Sequence, residues 1–186
     1  MRPFVHLHVH TEYSLLDGAI KTKKLAEKVS NWNEKYVAIT DHGVLYGAVE
    51  FYENCKACGV EPIFGCETYV DPNGIRSANQ SGRYHLILLA ENNTGWHNLM
   101  KLISIANTDG FYYKPRIDHQ LLIQYHEGLI ASSACLGGEI AQLILDDNID
   151  EAKRRARLYA DIMGEKNYFL EIMPNSIPEQ AKVPPP

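Results

Sequence analysis

Three histidines near the N-terminus alternate with apolar residues in a pattern that suits metal chemistry. His6, His8 and His10 lie within residues 4–11, and this period of two predicts a β-strand with one packed face and one chemical face. Side chains two residues apart on one face of a strand stand about 6.6 Å from each other. His8 and His10 can therefore converge on one metal ion or bridge a pair of ions.

One strand cannot complete such a site, because zinc and related ions need three or more ligands each. Two candidates come from later apolar segments. His42 follows a predicted strand at 36–40, and the adjacent Asp41 could orient the imidazole ring or cap the next helix. Glu67 interrupts a buried apolar run, where an uncompensated carboxylate would be costly. A metal ion would remove that cost.

Other candidates keep ordinary structural interpretations beside the metal hypothesis. Asp17 and Gly18 have the composition of a turn. Cys135 follows a predicted strand at 129–133 and could be a small buried side chain. His85 opens a predicted strand at 84–90, which is the wrong end of a parallel strand for a site at the C-terminal strand ends.

Strands and helices alternate along the chain. The periodicity predicts strands at residues 4–11, 36–40, 62–70, 84–90, 129–133 and 168–173. It predicts helices at 21–31, 46–57, 94–107, 121–125, 139–145 and 150–163, with loops at 11–18, 71–83 and 111–118. This alternation predicts an α/β fold with a parallel sheet, helical crossovers and barrel-like closure, in which the C-terminal strand ends carry function.

The composition favours one domain with a real core, since the chain has 186 residues of which 45% are hydrophobic. The net charge of -5 argues against a protein that binds nucleic acid over its whole surface. A local basic groove is compatible with this net charge. The sequence shows no membrane-length apolar run and no signal-peptide core, which predicts a cytoplasmic protein.

Four cysteines occur, and Cys55 and Cys58 form a CxxC pair. Because no second pair completes a tetrahedral zinc site, we interpret these two as free thiols in a reducing compartment.

Four ordered motifs resemble those of the polymerase and histidinol phosphatase (PHP) family. They are HVHT at 8–11, ITDHG at 39–43, GCE at 65–67 and SACLGG at 133–138. The segments EYSLLDG at 12–18 and FYYKPRID at 111–118 are further similar to the PHP domain at the N-terminus of bacterial replicative DNA polymerases. The resemblance extends to about residue 182.

The resemblance implies a distorted seven-stranded β/α barrel with a cluster of up to three divalent ions, zinc or manganese. The implied metal ligands are His8, His10, Asp17, His42, Glu67, His85 and Cys135. Of these, His8, His10, His42 and Glu67 are the implied catalytic residues, and His6 has no ligand role and is expected to be structural.

The family pattern contains two further ligands, in an Asp-x-His motif, that this sequence lacks. We therefore expect residues 1–183 to be a PHP domain that is truncated before its last strand or strands. The terminal prolines at 184–186 are interpreted as an artefact or as a truncated reading frame.

The implied activity is metal-dependent hydrolysis of a 3′-terminal phosphodiester of DNA, as in 3′–5′ exonuclease proofreading. Arg76, Arg83, Lys114 and Arg116 are candidates for binding phosphates, with ordinary solvated charge as the alternative. The implied partners are DNA, the rest of a polymerase chain, and a proofreading subunit or clamp of the replisome.

Two other functions stay open from the sequence. The domain could be a structural module that buttresses a polymerase, or a free-standing phosphatase acting on histidinol phosphate or a similar monoester. The polymerase-like segments disfavour the phosphatase. Polymerisation itself cannot reside here, because nothing in the chain supplies a polymerase palm.

Overall fold

A computed structural model describes residues 4–15, 17–76 and 83–183, in which seven strands form one curved sheet flanked by helices. The strands are β1 (Tyr36–Ile39), β2 (Glu61–Val70), β3 (Tyr84–Ala90), β4 (Phe111–Tyr112), β5 (Lys114–Ile117), β6 (Leu129–Ser132) and β7 (Tyr168–Phe169). The helices are α1 (Thr22–Asn31), α2 (Ala48–Ala57), α3 (Asn93–Thr108), α4 (His119–Tyr125), α5 (Glu139–Leu145), α6 (Ile149–Met163) and α7 (Pro178–Ala181). The predicted proline tail at 184–186 and positions 77–82 of the predicted loop lie outside the described residues.

The α/β fold with seven strands is confirmed, but the sheet is mixed, so the prediction of a parallel sheet is wrong. β2 pairs in parallel with β1 and β5 and antiparallel with β3. β3 pairs antiparallel with β6, which in turn is parallel to β7. The described part of the connection between β2 and β3, residues 71–76 and 83, contains no helix that could carry the chain back for a parallel pairing. β3 is therefore reversed relative to its neighbours.

The N-terminal segment, residues 4–11, is extended beside β1 but is not the continuous strand that the alternation predicts. Its backbone carbonyls at His6 and Val9 accept hydrogen bonds from Ala38 N–H and Thr40 N–H at 2.9 and 2.8 Å. Two of its N–H groups donate to side chains instead: Val9 N–H to Thr40 Oγ1 at 2.9 Å and Thr11 N–H to Asp41 Oδ1 at 2.6 Å. A side-chain acceptor in place of a carbonyl interrupts the regular ladder.

The segment 111–118, predicted as a loop, contains the hairpin of β4 and β5. Tyr112 pairs with Lys114, so Tyr113 alone forms the tip, with a φ of 60°. That left-handed conformation is uncommon for a tyrosine, and it lets the chain reverse within one residue. β7 is also shorter than the predicted strand at 168–173.

Helices cover the sheet in two apolar clusters. One joins α1 and α2 to β1 through residues such as Val29, Val37 and Phe51. Cys55 of the CxxC pair is buried in this cluster, and burial raises the pKa of its thiol to about 12. The larger cluster packs α3 to α6 against β2, β3 and β6. The predicted start and end of most helices agree with the structure to within one or two residues.

Candidate metal centre

The strand directions explain how ligands that are far apart in the sequence reach one end of the sheet. β1, β2 and β6 run the same way, which brings His42, Glu67 and Cys135 together near their C-terminal ends. Because β3 runs the opposite way, its first residues lie at this same end. His85 therefore faces the site from the start of its strand, which resolves its unexpected position in the sequence.

Glu67 is the centre of the cluster. It is buried, and its Oε2 lies 2.6 Å from His10 Nε2 and 3.1 Å from His8 Nε2. Both rings come from the N-terminal segment, as the alternating pattern predicted. His6 does not share their direction, since its Nε2 lies 3.5 Å from Glu34 Oε2, outside the cluster.

Three more of the predicted ligands also lie around the Glu67 carboxylate. His85 Nδ1 lies 2.6 Å from Oε1, and His42 Nδ1 lies 3.6 Å from Oε2. Cys135 Sγ lies 3.7 Å from Oε1 and 3.5 Å from His85 Nδ1. Asp17 reaches the group through His42, with its Oδ2 at 2.8 Å from His42 Nε2. The structure thus brings together all seven of the implied ligands.

The pKa values reflect this concentration of rings around one carboxylate. Burial alone would raise the pKa of Glu67, but hydrogen bonds with His10, His8 and His85 hold it far below its usual range. Burial lowers the pKa of His8, yet the bonds to Glu171 and Glu67 outweigh it and raise the value to about 10. His85 is raised to about 9 in the same way by Cys135 and Glu67.

His42 differs from His8 and His85 in that its pKa is lowered, because the effect of burial outweighs the attraction of Glu67 and Asp17. Its Nδ1 is buried and has no hydrogen-bond partner among the residues that the structure describes. A buried nitrogen that is neutral and unpartnered is available as a metal ligand.

The donor set fits divalent transition metals. Three groups have ligand atoms within 4.8 Å of one another: His8, His10 and Glu67; His10, Asp17 and His42; and His42, Glu67 and His85. Imidazole and carboxylate donors, with a thiol alongside, suit zinc and its neighbours. Together with the unpartnered His42 nitrogen, this chemistry shows that the residues present fit such ions.

A second layer of side chains fixes the rings. Ser14 Oγ donates to Asp41 Oδ1 at 3.1 Å, accepts from His42 N–H at 3.0 Å and lies 3.0 Å from His10 Nδ1. Asp41 is itself held by Thr11, whose N–H and hydroxyl donate to it at 2.6 and 2.8 Å. Asp41 therefore acts on the rings through Ser14, and its side chain does not cap α2.

Glu171 holds His8 from the far edge of the sheet. Its Oε1 lies 2.8 Å from His8 Nδ1, and its Oε2 accepts from Ser132 Oγ at 2.7 Å. This contact joins the chain just after β7 to the N-terminal segment beside β1. A ring whose Nδ1 is held in this way presents Nε2 to the site.

The turn after β6 is shaped to admit His85. Ala134 adopts a φ of 59°, a strained conformation for alanine, and Cys135 follows it into the site. An ideal Cβ at Gly137 would lie 2.7 Å from His85 Nδ1 and 3.0 Å from its Cγ. The absence of a side chain at Gly137 therefore leaves room for the imidazole ring.

We expect Gly137→Ala to weaken metal binding while preserving the fold. The new methyl group displaces the His85 ring, and disturbing the setting of a metal ligand costs about 10–100-fold in affinity. Calorimetric titration with Mn²⁺ measures the affinity, and thermal unfolding of the same sample serves as the folding control. An unchanged affinity would show that the ring adapts to the methyl group.

The four predicted phosphate-binding residues separate into two groups. Arg76 is exposed, Arg83 lies 6.0 Å from the Tyr113 ring, and Lys114 Nζ lies 5.2 Å from the Tyr69 ring beside the cluster. Arg116 is instead only 2% exposed, and its Nη1 donates to Asp71 Oδ2 at 2.7 Å. Its guanidinium is used inside the fold and is not presented to a substrate.

A cavity of about 620 Å³ opens onto the metal-ligand cluster. Asp17, His42 and His85 line it together with several aromatic side chains. A larger cavity of about 960 Å³ lies beside α5, α6 and β7, but its lining is mostly apolar and contains none of the clustered ligands. We therefore place the functional site at the smaller cavity, which we call the site cavity.

A mixed sheet flanked by helices, with a histidine-rich cluster at one end, defines an α/β domain with a candidate metal centre. A sequence profile of the PHP domain matches residues 6–175, and the chain belongs to the PHP domain family.

The curated relatives identify the kind of protein in which this version of the domain occurs. DNA polymerase III subunit alpha of Treponema pallidum is 46% identical over 186 residues, which cover 98% of this chain and 16% of that protein. The protein of the same name from Thermus aquaticus is 46% identical over 187 residues, covering 97% and 15%. The Deinococcus radiodurans protein is 44% identical, covering 97% and 14%. The chain thus spans about a sixth of these relatives.

One solved structure supports the fold. A crystal structure of a candidate metal-dependent phosphoesterase from Bifidobacterium adolescentis has a TM-score of 0.55 and 14% identity, covering 97% of this chain and 81% of that one. In the part of the chain that the structure describes, no helix is both long and apolar enough to cross a membrane.

Proposed function

We propose that this chain is the N-terminal PHP domain of a bacterial DNA polymerase III alpha subunit and that its metal centre hydrolyses the 3′-terminal phosphodiester of DNA. The observation that carries the proposal is the intact cluster in which Glu67 faces His8, His10, His42 and His85. His42 and His85 line the site cavity, which supports a catalytic centre, because catalytic metal sites keep an open position whereas structural ones are closed. The similarity to polymerase alpha subunits supplies the substrate class.

The residues have distinct roles in this proposal. His8, His10, Asp17, His42, Glu67, His85 and Cys135 would hold up to three divalent ions, with zinc and manganese as our candidates. Ions bound there would supply activation of water and stabilisation of charge on the attacking and leaving oxygens. Ser14 and Glu171 keep two of the rings oriented, and Lys114 is placed to contact a phosphate of the strand.

The partners follow from the same proposal. DNA and the remaining part of the polymerase chain are the immediate ones, with the proofreading subunit or the clamp of the replisome as further candidates. We propose a cytoplasmic location, which the similarity to DNA polymerase III alpha subunits supports. Nucleotidyl transfer would belong to the remaining polymerase chain, outside these 186 residues.

We expect His42→Ala in the full-length protein to abolish Mn²⁺-dependent hydrolysis of a 3′-labelled oligonucleotide while nucleotide incorporation continues. His42 contributes to two of the three ligand groups, so its loss should lower hydrolysis by at least about 100-fold. Chelation by EDTA should reproduce the loss in the unaltered protein, and added Mn²⁺ should reverse it.

The matched control is His97→Ala, which removes an exposed histidine of α3 that lies outside the cluster. This variant should retain both activities. Equal loss of hydrolysis and incorporation in His42→Ala would support a structural module, because the substitution would then have damaged the fold. Preferential hydrolysis of histidinol phosphate would support the free-standing phosphatase.

A further inference from the structure

The site cavity has an apolar wall that the metal ligands do not explain. Leu15, Tyr46 and Phe111 line it and are 88%, 74% and 59% exposed. Single exposed apolar side chains are normal, but several that converge on one cavity mark a binding surface. The metal-ligand candidates His42 and His85 line the same cavity.

The backbone next to Tyr46 is closely packed. An ideal Cβ at Gly47 would lie 2.7 Å from Tyr13 Cδ2, so the Tyr13 ring packs against the backbone of the residue that follows Tyr46. The Tyr13 hydroxyl donates to Glu50 Oε2 at 2.7 Å and anchors that ring. On the opposite side, the one-residue tip of the β4–β5 hairpin places Phe111 across from Pro115.

A cation and a stacked ring connect this wall to the metal ligands. Lys114 Nζ lies 5.2 Å from the centre of the Tyr69 ring. The Tyr69 ring in turn stacks on His42, with centroids 5.6 Å apart and planes inclined by 15°. A molecule in the site cavity would therefore meet metal ligands, a positive charge and flat aromatic faces in succession.

We propose that the wall formed by Tyr46 and Phe111 stacks the unpaired terminal nucleobase of single-stranded DNA while Lys114 contacts its phosphate. Stacking on aromatic side chains is a sequence-tolerant way to bind single strands, because every base has a flat face. A base can reach the wall only when it is not paired, so the site selects frayed or mispaired ends over paired ones. This inference rests on the proposed function and specifies the form of DNA that the site accepts.

The test measures stacking separately from hydrolysis. A single-stranded oligonucleotide with 2-aminopurine as its 3′-terminal base is titrated with the full-length protein in EDTA, and quenching of the 2-aminopurine fluorescence reports stacking. Tyr46→Ala and Phe111→Ala should each weaken the quenched complex by on the order of tenfold. Tyr46→Phe should retain it, because the ring remains.

The control is Tyr52→Ala, which removes a tyrosine of α2 that is 48% exposed and does not line the site cavity. It should bind and quench as the unaltered protein does. A second measurement compares Mn²⁺-dependent hydrolysis of paired and unpaired 3′ ends. Tyr46→Ala should raise KM for the unpaired end by on the order of tenfold. The preference of the protein for unpaired over paired 3′ ends should fall accordingly.

The outcomes separate this inference from the proposed function. If quenching and KM are unchanged in both alanine variants while His42→Ala still loses hydrolysis, the stacking proposal is wrong and the proposed phosphoesterase function stands. If quenching depends on Tyr46 and Phe111 but the protein shows no metal-dependent hydrolysis, the stacking proposal stands and the proposed phosphoesterase function is wrong.

Discussion

Glu67→Gln should eliminate both metal binding and hydrolysis, with a loss of roughly 1,000-fold or more in the hydrolysis rate. The substitution keeps the size of the side chain and removes its charge. Glu67 takes part in two of the three groups of ligand atoms, and it is the carboxylate toward which His8, His10, His42 and His85 all point. The neutral amide of glutamine does not provide the negatively charged oxygens that the four rings now share.

Metal content by mass spectrometry and hydrolysis of a 3′-labelled oligonucleotide check this result. Glu171→Gln is the matched control, since it neutralises a carboxylate that contacts only one ring of the cluster, at His8 Nδ1. Its expected loss is about 10–100-fold, the usual effect of a residue that orients a ligand. If the hydrolysis rates of Glu67→Gln and Glu171→Gln fell by the same factor, Glu67 would not be the centre of the site.

The alternation of apolar residues with histidines was sufficient to place His8 and His10 on one site, and a carboxylate within a buried run was sufficient to single out Glu67. The direction of β3 was not predictable in this way. Local periodicity indicates that a segment is a strand, but the pairing partner and its direction depend on distant residues. His85 therefore looked misplaced until its strand was found to be reversed.

The side chains that orient the rings were missed for two different reasons. Glu171 lies between Leu170 and Ile172, so the argument that identified Glu67 would have found it as well. Ser14 carries no such signal, because a serine in a loop is common and nothing local shows that it is buried against Asp41. Its role exists only once the N-terminal segment lies beside β1.

Lys114 and Arg116 show that the sequence alone does not distinguish a basic side chain available to a substrate from one buried in an ion pair. They are two residues apart in β5 and were equal candidates for binding phosphate. The structure leaves Lys114 on the site cavity, whereas Arg116 forms a buried ion pair with Asp71, 45 residues away in the sequence. Only the pairing of β2 with β5 brings that partner within reach.

Arg116→Met should lower the free energy of unfolding by about 3–5 kcal/mol, because removing one partner of a buried ion pair leaves the other charge uncompensated. Asp71 is fully buried. Arg116 also donates from Nε to Gly110 O at 3.0 Å and from Nη2 to Ile75 O at 2.7 Å, so those carbonyls lose a donor as well. Urea unfolding of the 186-residue protein, followed by tryptophan fluorescence, measures the change.

Two further variants assign the loss to the ion pair. Adding Asp71→Asn to Arg116→Met should restore part of the stability, since the unpaired charge is then removed. Arg76→Ala, at an exposed arginine, should change stability by no more than about 0.5 kcal/mol. Oligonucleotide binding by folded Arg116→Met should match that of the unaltered protein. If Arg116→Met were instead stable and bound DNA more weakly, Arg116 would be a phosphate-binding residue, as the sequence analysis predicted.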